Sequence, residues 1–148
     1  MTNLLEINNL SVDFPSRRGQ VAAVNKVSIA VAKGEVLGLV GESGAGKSTV
    51  GNSIINLLEP PGYISGGEII FDGNRIDKLP NEDMRKIRGA KIGTIFQDPQ
   101  TSLNPLMTIG KQLSETLIET LKISGASARE KSIELLDSVG IPNPEPRL

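Results

Sequence analysis

Cysteine, histidine and tryptophan are all absent from these 148 residues. Without Cys or His there is no disulfide framework, no thiolate nucleophile, no zinc site of the usual Cys/His kind and no Ser-His-Asp arrangement. Acid/base work therefore falls to carboxylates, lysine or Tyr63. The aromatic residues are Phe14, Tyr63, Phe71 and Phe96, so the core is aliphatic and stacking platforms for single-stranded nucleic acid are scarce. An excess of one charge is lacking too. Sixteen basic residues face 17 acidic ones, a net charge of -1 that exerts no general pull on nucleic acid or an anionic membrane, and no nucleic-acid partner is expected. No run approaches the roughly 18 consecutive apolar residues of a membrane span. The opening MTNLLEINNL has no basic segment ahead of an apolar one, as a secretory signal would. The expected location is the cytosol, unless a partner holds the chain at a membrane.

What is present is the composition of a soluble globular chain, 38% hydrophobic and 22% charged. Its length fits one compact domain or part of a larger one. Residues 4–14 and 21–31 read as strands, the second rich in Val, Ala and Ile. Residues 36–40 (VLGLV) form a short, wholly apolar run between Gly34 and Gly41, the pattern of a strand buried on both faces at the centre of a parallel sheet. A glycine-rich stretch follows. It leads into a helix on which Val50, Ile54, Leu57 and Leu58 share a face and which Pro60 and Pro61 stop. Next come a strand-like EIIFDGNRI with Asp72-Gly73 as its turn, a short helix over 81–88 and a strand over 91–96. QDPQTSLNP, from residue 97, reads as a working loop. Two helices complete the layout, one carrying Ile109, Leu113, Leu117 and Leu121, the other Ile133, Leu135, Leu136 and Val139 between caps at Ser127 and Gly140.

Gly41, Glu42, Ser43, Gly44, Ala45, Gly46, Lys47 and Ser48 match G-x-x-x-x-G-K-[ST] between a strand and a helix, the setting that motif requires. Glycines free the backbone so that successive N–H groups can point at phosphate oxygens. The helix beginning near Lys47 directs its positive end at the same anion, and Lys47 adds a charge for the β and γ phosphates. Ser48 would place its hydroxyl on Mg²⁺, with Thr49 a neighbouring hydroxyl for phosphate. The motif predicts ATP-type phosphate binding. It does not name a reaction, because kinases, GTPases, transport ATPases and repair ATPases share it.

LVGESGAGKST, followed by IFQDPQTSLNPLMTIG at residues 95–110, resembles the ATP-binding subunits of ABC transporters. The QDPxxSLNP segment is most similar to the dipeptide, oligopeptide and nickel importer branch. The resemblance runs from about residue 4 to residue 148. It implies an α/β P-loop NTPase fold of the ABC ATPase type: a parallel core sheet with an N-terminal antiparallel β subdomain and the start of a helical subdomain. The antiparallel strands and phosphate loop would occupy residues 1–97, and the Q-loop and first helices residues 97–148. It further implies that Gln97 helps coordinate Mg²⁺ and the attacking water, with Lys47 the other residue serving the chemistry, and that Phe14 stacks on adenine. The partners it implies are transmembrane permease subunits and a second ATP-binding subunit, with the chain peripheral on the cytoplasmic face of the membrane.

An ABC ATPase also uses an apolar strand ending in Asp and then a catalytic Glu, an LSGGQ segment and a switch His, none of which has a candidate here. Ile64, Ser65, Gly66, Gly67 and Glu68 precede Gln97 and lead into a strand, so they read as a turn. Ile69, Ile70, Phe71 and Asp72 end at Gly73, where a carboxylate would be needed. In the family all three elements follow the Q-loop, so the chain reads as an N-terminal portion whose parallel sheet has an open edge and folds only marginally in isolation. ATP binding without appreciable hydrolysis by this polypeptide alone is the expectation. A non-catalytic nucleotide-binding module remains open, as does a fragment of a DNA-repair ABC ATPase, although such proteins carry zinc-binding cysteines or coiled-coil insertions. The basic residues Arg85, Lys86, Arg88 and Lys91 read as a solvated helix face.

Overall fold

A computed structural model describes residues 3–17, 19–97 and 102–148. They form two compact units, residues 1–85 and 86–148. The first is built on a four-stranded antiparallel sheet. Strand β1 (Asn3–Ser16) pairs with β2 (Gly19–Ala32) on one side and with β3 (Tyr63–Phe71) on the other, and β3 pairs with the two-residue β4 (Asn74–Arg75), giving the order β2-β1-β3-β4. Ile7 lies opposite Ile29 and Ile69. Ile7, Leu10, Val12, Val24 and Ile69 are buried with Ile76 and Met84; Leu10 and Val12 follow period-two alternation, and a register shift between Ile7 and Leu10, with Asn9 at a φ of 49°, lets residues three apart both be buried. Burial of each such side chain contributes roughly 1.5–3 kcal/mol. The Asp72-Gly73 turn joins β3 to β4 with both residues at positive φ, 49° and 73°, as a two-residue hairpin requires.

An arginine clamp holds the β3–β4 corner. Arg75 donates to both carboxylate oxygens of Asp77, to Glu68 at 3.1 Å and to the Gly67 carbonyl at 3.0 Å. The Ile69 N–H donates to Asp77 at 2.9 Å. The Asp77 side chain is only 3% exposed. Burial pushes its carboxyl upward, but the Arg75 hydrogen bond, the Ile69 N–H and the Arg75 charge together outweigh that and hold it below the usual carboxylate range. Hydrogen bonding to Asp77 raises Arg75 in turn, so it stays charged throughout.

Helix α1 (Lys47–Ile54) packs beside β2. It ends sooner than the apolar spacing suggests. Asn56 adopts a left-handed φ of 50°, and the Leu57 N–H turns back to the Asn52 carbonyl at 2.8 Å, so the helix stops before the prolines and Leu57 is left exposed. Short helix α2 (Asn81–Ile87) buries Met84.

The expected central strand over residues 36–40 forms no ladder among the described residues. Leu37 and Leu39 turn toward a 260 Å³ apolar cavity shared with Ile7, Ile29, Val50 and Ile54, whereas Val36 and Val40 are 96% and 94% exposed. A strand buried on both faces needs a hydrogen-bonded neighbour on each edge, and no described segment supplies one. Residues 91–96 likewise form no strand; the parallel pairing there is a single bridge between Arg88 and Ile92, and Ile95 is 98% exposed. The ISGGE segment, read as a turn, lies inside β3, with a register shift opposite residues 8–11 and Gly67 at a φ of 86°.

In the second unit, α3 (Ile109–Leu121) and α4 (Gly125–Ser138) pack together. Thr108 caps α3 by accepting the Lys111 N–H at 3.2 Å. The cap of α4 is Ser124 rather than Ser127, because Ser124 takes the extended conformation and its hydroxyl accepts the Ser127 N–H. Ala128, Ser132 and Leu136, four apart, form the buried stripe of α4. A short 3₁₀ turn (Glu145–Arg147) precedes Leu148, whose backbone lies against Gly110 at the start of α3. No described helix is long and apolar enough to cross a membrane. Of the sequence readings, positions 98–101 of the QDPQTSLNP loop and position 18 of the first hairpin lie outside the described residues.

Candidate phosphate-binding site

Residues 41–48 form a loop that runs from the apolar stretch 36–40 into the first turn of α1. Two left-handed residues, Gly44 at φ 82° and Gly46 at φ 85°, turn the chain. Gly46 is the N-cap of α1 and fits for a second reason, since a Cβ there would overlap the Ala23 carbonyl oxygen of β2 and meet Val24 at 3.4 Å. The Ala45 N–H closes onto the Glu42 carbonyl at 3.2 Å.

The electrostatics of the loop favour an anion. No side chain caps α1 and its first turn holds no acidic residue, so its leading N–H groups have no carboxylate competing for them. Lys47 curls back over the loop, its Nζ donating to the Gly41 carbonyl at 2.8 Å and the Glu42 carbonyl at 2.6 Å. The ammonium is thus held against the carbonyls at the start of the loop. Ser48 is exposed beside it and Thr49 is half-buried, its carbonyl accepting the Ser53 hydroxyl at 2.6 Å. A polyphosphate fits this donor set: backbone amides, one cation, two hydroxyls and no side chain at positions 41, 44 and 46.

Phe14 is half-buried near the end of β1, opposite Val21. Strand alternation puts it on the face of β1 that carries Val12, and Val12 pairs with Val24, against which Gly46 packs. The phosphate loop and the Phe14 ring therefore share one side of the sheet. Gln97 belongs to the second unit and is exposed. No group of three or more carboxylates or other common metal ligands occurs among the described residues, so a divalent ion here would rest on hydroxyl, amide and phosphate oxygens.

Residues 24–148 match the family model described as ABC transporter. The chain belongs to the ABC transporter family. Among curated relatives of this ABC chain, the oligopeptide transport ATP-binding protein OppD of Bacillus subtilis is 46% identical over the whole chain, which spans 42% of that protein. The dipeptide transport ATP-binding protein DppD of the same organism is 44% identical, with 44% of its length covered. The peptidoglycan transport ATP-binding protein YejF of Agrobacterium fabrum is 47% identical over 98% of this chain and 27% of its own length. The chain thus spans less than half of these relatives. Among solved structures, the dimeric ABC transporter cassette MJ0796 aligns over 90% of this chain and 56% of its own, at 29% identity and a TM-score of 0.78. A second structure of MJ0796, in a post-hydrolysis state bound to ADP and Pi, aligns equally well. The fold is that of an ABC ATPase cassette, including its antiparallel β subdomain.

Two features of the first unit, one at the β3–β4 corner and one beside Phe14, have little trace in the residues. One is the clamp of Arg75 on Asp77 and Glu68, whose only trace in the sequence is a basic residue flanked by acids after a hairpin turn. The other is Gly62, which sits directly against the Phe14 ring; its trace is a glycine following two prolines.

Proposed function

We propose that this chain is the ATP-binding part of an ATPase subunit that powers an ABC importer for peptides, with nickel as the alternative cargo. The observation that carries the reading is the loop of residues 41–48, with the Lys47 ammonium held over it and the uncapped start of α1 behind it. The similarity to OppD and DppD proteins supports the transport assignment.

In this reading the amides of residues 44–49 and Lys47 would hold the β and γ phosphates, and Ser48 would hold Mg²⁺, which when bound would neutralise charge on the phosphate oxygens; Gln97 is carried over from the family resemblance as a further Mg²⁺ residue. Gln97 orients the attacking water and couples the nucleotide to the permease subunits. Phe14 receives the adenine on the sheet face it shares with the loop. Residues 1–97 serve as the antiparallel and phosphate-loop part and residues 97–148 as the Q-loop and the beginning of the helical subdomain. A second ATP-binding subunit and transmembrane permeases are the partners, which places the chain on the cytoplasmic face of the membrane.

These 148 residues contain no His, no LSGGQ and no Asp-Glu pair closing an apolar strand. Phosphoryl transfer to water needs, besides Gln97, a carboxylate that polarises and orients the water, so without it the isolated polypeptide binds Mg-ATP weakly and does not turn it over. Two assays test this: Mg-ATP binding to native and Lys47→Ala protein, and phosphate release by the 148-residue chain. Loss of binding in the variant with no release by either is expected. Steady turnover by the native chain that vanishes in the variant would overturn the non-hydrolytic reading, and equal binding by both would overturn the site.

A further inference from the structure

We infer that Gly62 is a positioning residue for the nucleobase, acting as the bare backing against which the Phe14 ring is set; the inference rests on the proposed stacking role of Phe14. A Cβ built on Gly62 would lie 2.5 and 2.6 Å from the two far carbons of that ring, and 2.9 Å from the Glu59 carbonyl oxygen. Neither neighbour leaves room for a methyl group. Residue 62 is also tied on both sides and cannot retreat. Its N–H donates to the Glu59 carbonyl at 2.8 Å, and the next residue, Tyr63, is paired with Asp13 in the β1–β3 ladder. Tyr63 is further held by the Gln20 amide, which donates to its hydroxyl at 2.6 Å.

The softer partner in this contact is the end of the Phe14 side chain, which turns about its own χ angles while the backbone at 59 and 63 stays bonded. A side chain at 62 therefore drives the ring off its seat and also presses on the Glu59 carbonyl of the turn, so the tripolyphosphate and double-variant controls below separate ring displacement from a disturbed turn. With glycine, the backbone at 62 sits directly against the far end of the half-buried ring, and in the proposed role the base takes a remaining face of it. Gly62 touches no nucleotide in this arrangement. It acts only through Phe14, and it has no part in holding phosphate, which lies with residues 41–49.

The test compares ATP with inorganic tripolyphosphate, which engages the phosphate loop but has no base, using the natural gene product and its Gly62→Ala, Phe14→Ala and doubly substituted forms. Base–aromatic stacking is of a size that predicts about a tenfold loss of ATP affinity in each single variant. Tripolyphosphate affinity is expected to stay unchanged, and Gly62→Ala is expected to cost nothing further in the Phe14→Ala background, since the two act as one unit. If Gly62→Ala binds ATP like the native protein while Phe14→Ala does not, Gly62 positions nothing. If it weakens both ligands equally, or if the double variant unfolds, its role is structural and the inference fails. Should Phe14→Ala itself bind ATP normally, the stacking reading falls first and the role of Gly62 falls with it.

Discussion

Gly44 and Gly46 both have left-handed φ, yet their surroundings differ, and the difference can be measured. Nothing lies within 4 Å of a Cβ added at Gly44, whereas at Gly46 that atom would overlap the Ala23 carbonyl oxygen. Gly44→Ala thus bears only the cost of a left-handed L-residue, about 1–2 kcal/mol. Gly46→Ala bears that cost and a steric one of about 1–3 kcal/mol, because the obstacle is strand backbone that cannot rotate away. The expected destabilisations are about 1–2 kcal/mol for the first and about 2–5 kcal/mol for the second. Asparagine, which tolerates left-handed φ, should recover part of the loss at 44 and none at 46. Urea unfolding of the natural gene product, followed by far-ultraviolet circular dichroism, reads the stability. Tripolyphosphate titration reads the loop, and Gly46→Ala should lose at least about tenfold in affinity if the loop is pushed off β2 by an amount worth about 1.4 kcal/mol. Equal unfolding midpoints for Gly44→Ala and Gly46→Ala would refute the argument that β2 seats the phosphate loop.

Two further outcomes bear on the scaffold. Asp77 is held below its ordinary value, so its contribution is fully present above the unfolded carboxylate pKa near about 3.9 and is lost as pH falls through the folded value. Asp77→Asn should lower the urea midpoint at pH 7 and flatten its fall at acid pH, and an unchanged acid limb would argue against the clamp. Met84 is completely buried, so Met84→Ala should cost about 2–5 kcal/mol, with Met84→Leu nearly neutral in the same unfolding assay.

Much of the antiparallel sheet was legible in the residues because its signals are local. The alternation in residues 4–14 and 21–31 and the Asp72-Gly73 turn each act within a few positions, and they appear as β1, β2 and the β3–β4 hairpin. Helix α3 appears where Ile109, Leu113, Leu117 and Leu121 recur four apart, and α4 over the stretch with Ile133, Leu135, Leu136 and Val139, although its buried stripe is Ala128, Ser132 and Leu136 while Leu135 and Val139 are exposed. Residues 36–40 and 91–96 depart from the strands that their apolar runs predict, for the opposite reason. An apolar run states that a segment wants burial on both faces, but a strand exists only where neighbours bring ladders, and those are long-range partners. The end of α1 at Asn56 and the cap at Ser124 show the same limit on a smaller scale, since each depends on which backbone N–H or carbonyl is within reach.

The phosphate-loop motif is complete in the residues, because G-x-x-x-x-G-K-S is contiguous and its parts act on neighbouring backbone. The family is legible for a related reason, since two long motifs in order survive translation into chemistry without a fold. Packing, by contrast, brings Gly46 onto the carbonyl of Ala23, Phe14 to the face of β1 that carries Val12, and Gly62 against the Phe14 ring. The pairs Gly46 with Ala23 and Gly62 with Phe14 are separated along the chain by 23 or more positions, and nothing in local periodicity encodes which strand register will bring them together. Register is set by the whole apolar face at once, through the shared burial of Ile7, Leu10, Val12, Val24 and Ile69, and the placement of each functional side chain follows from it.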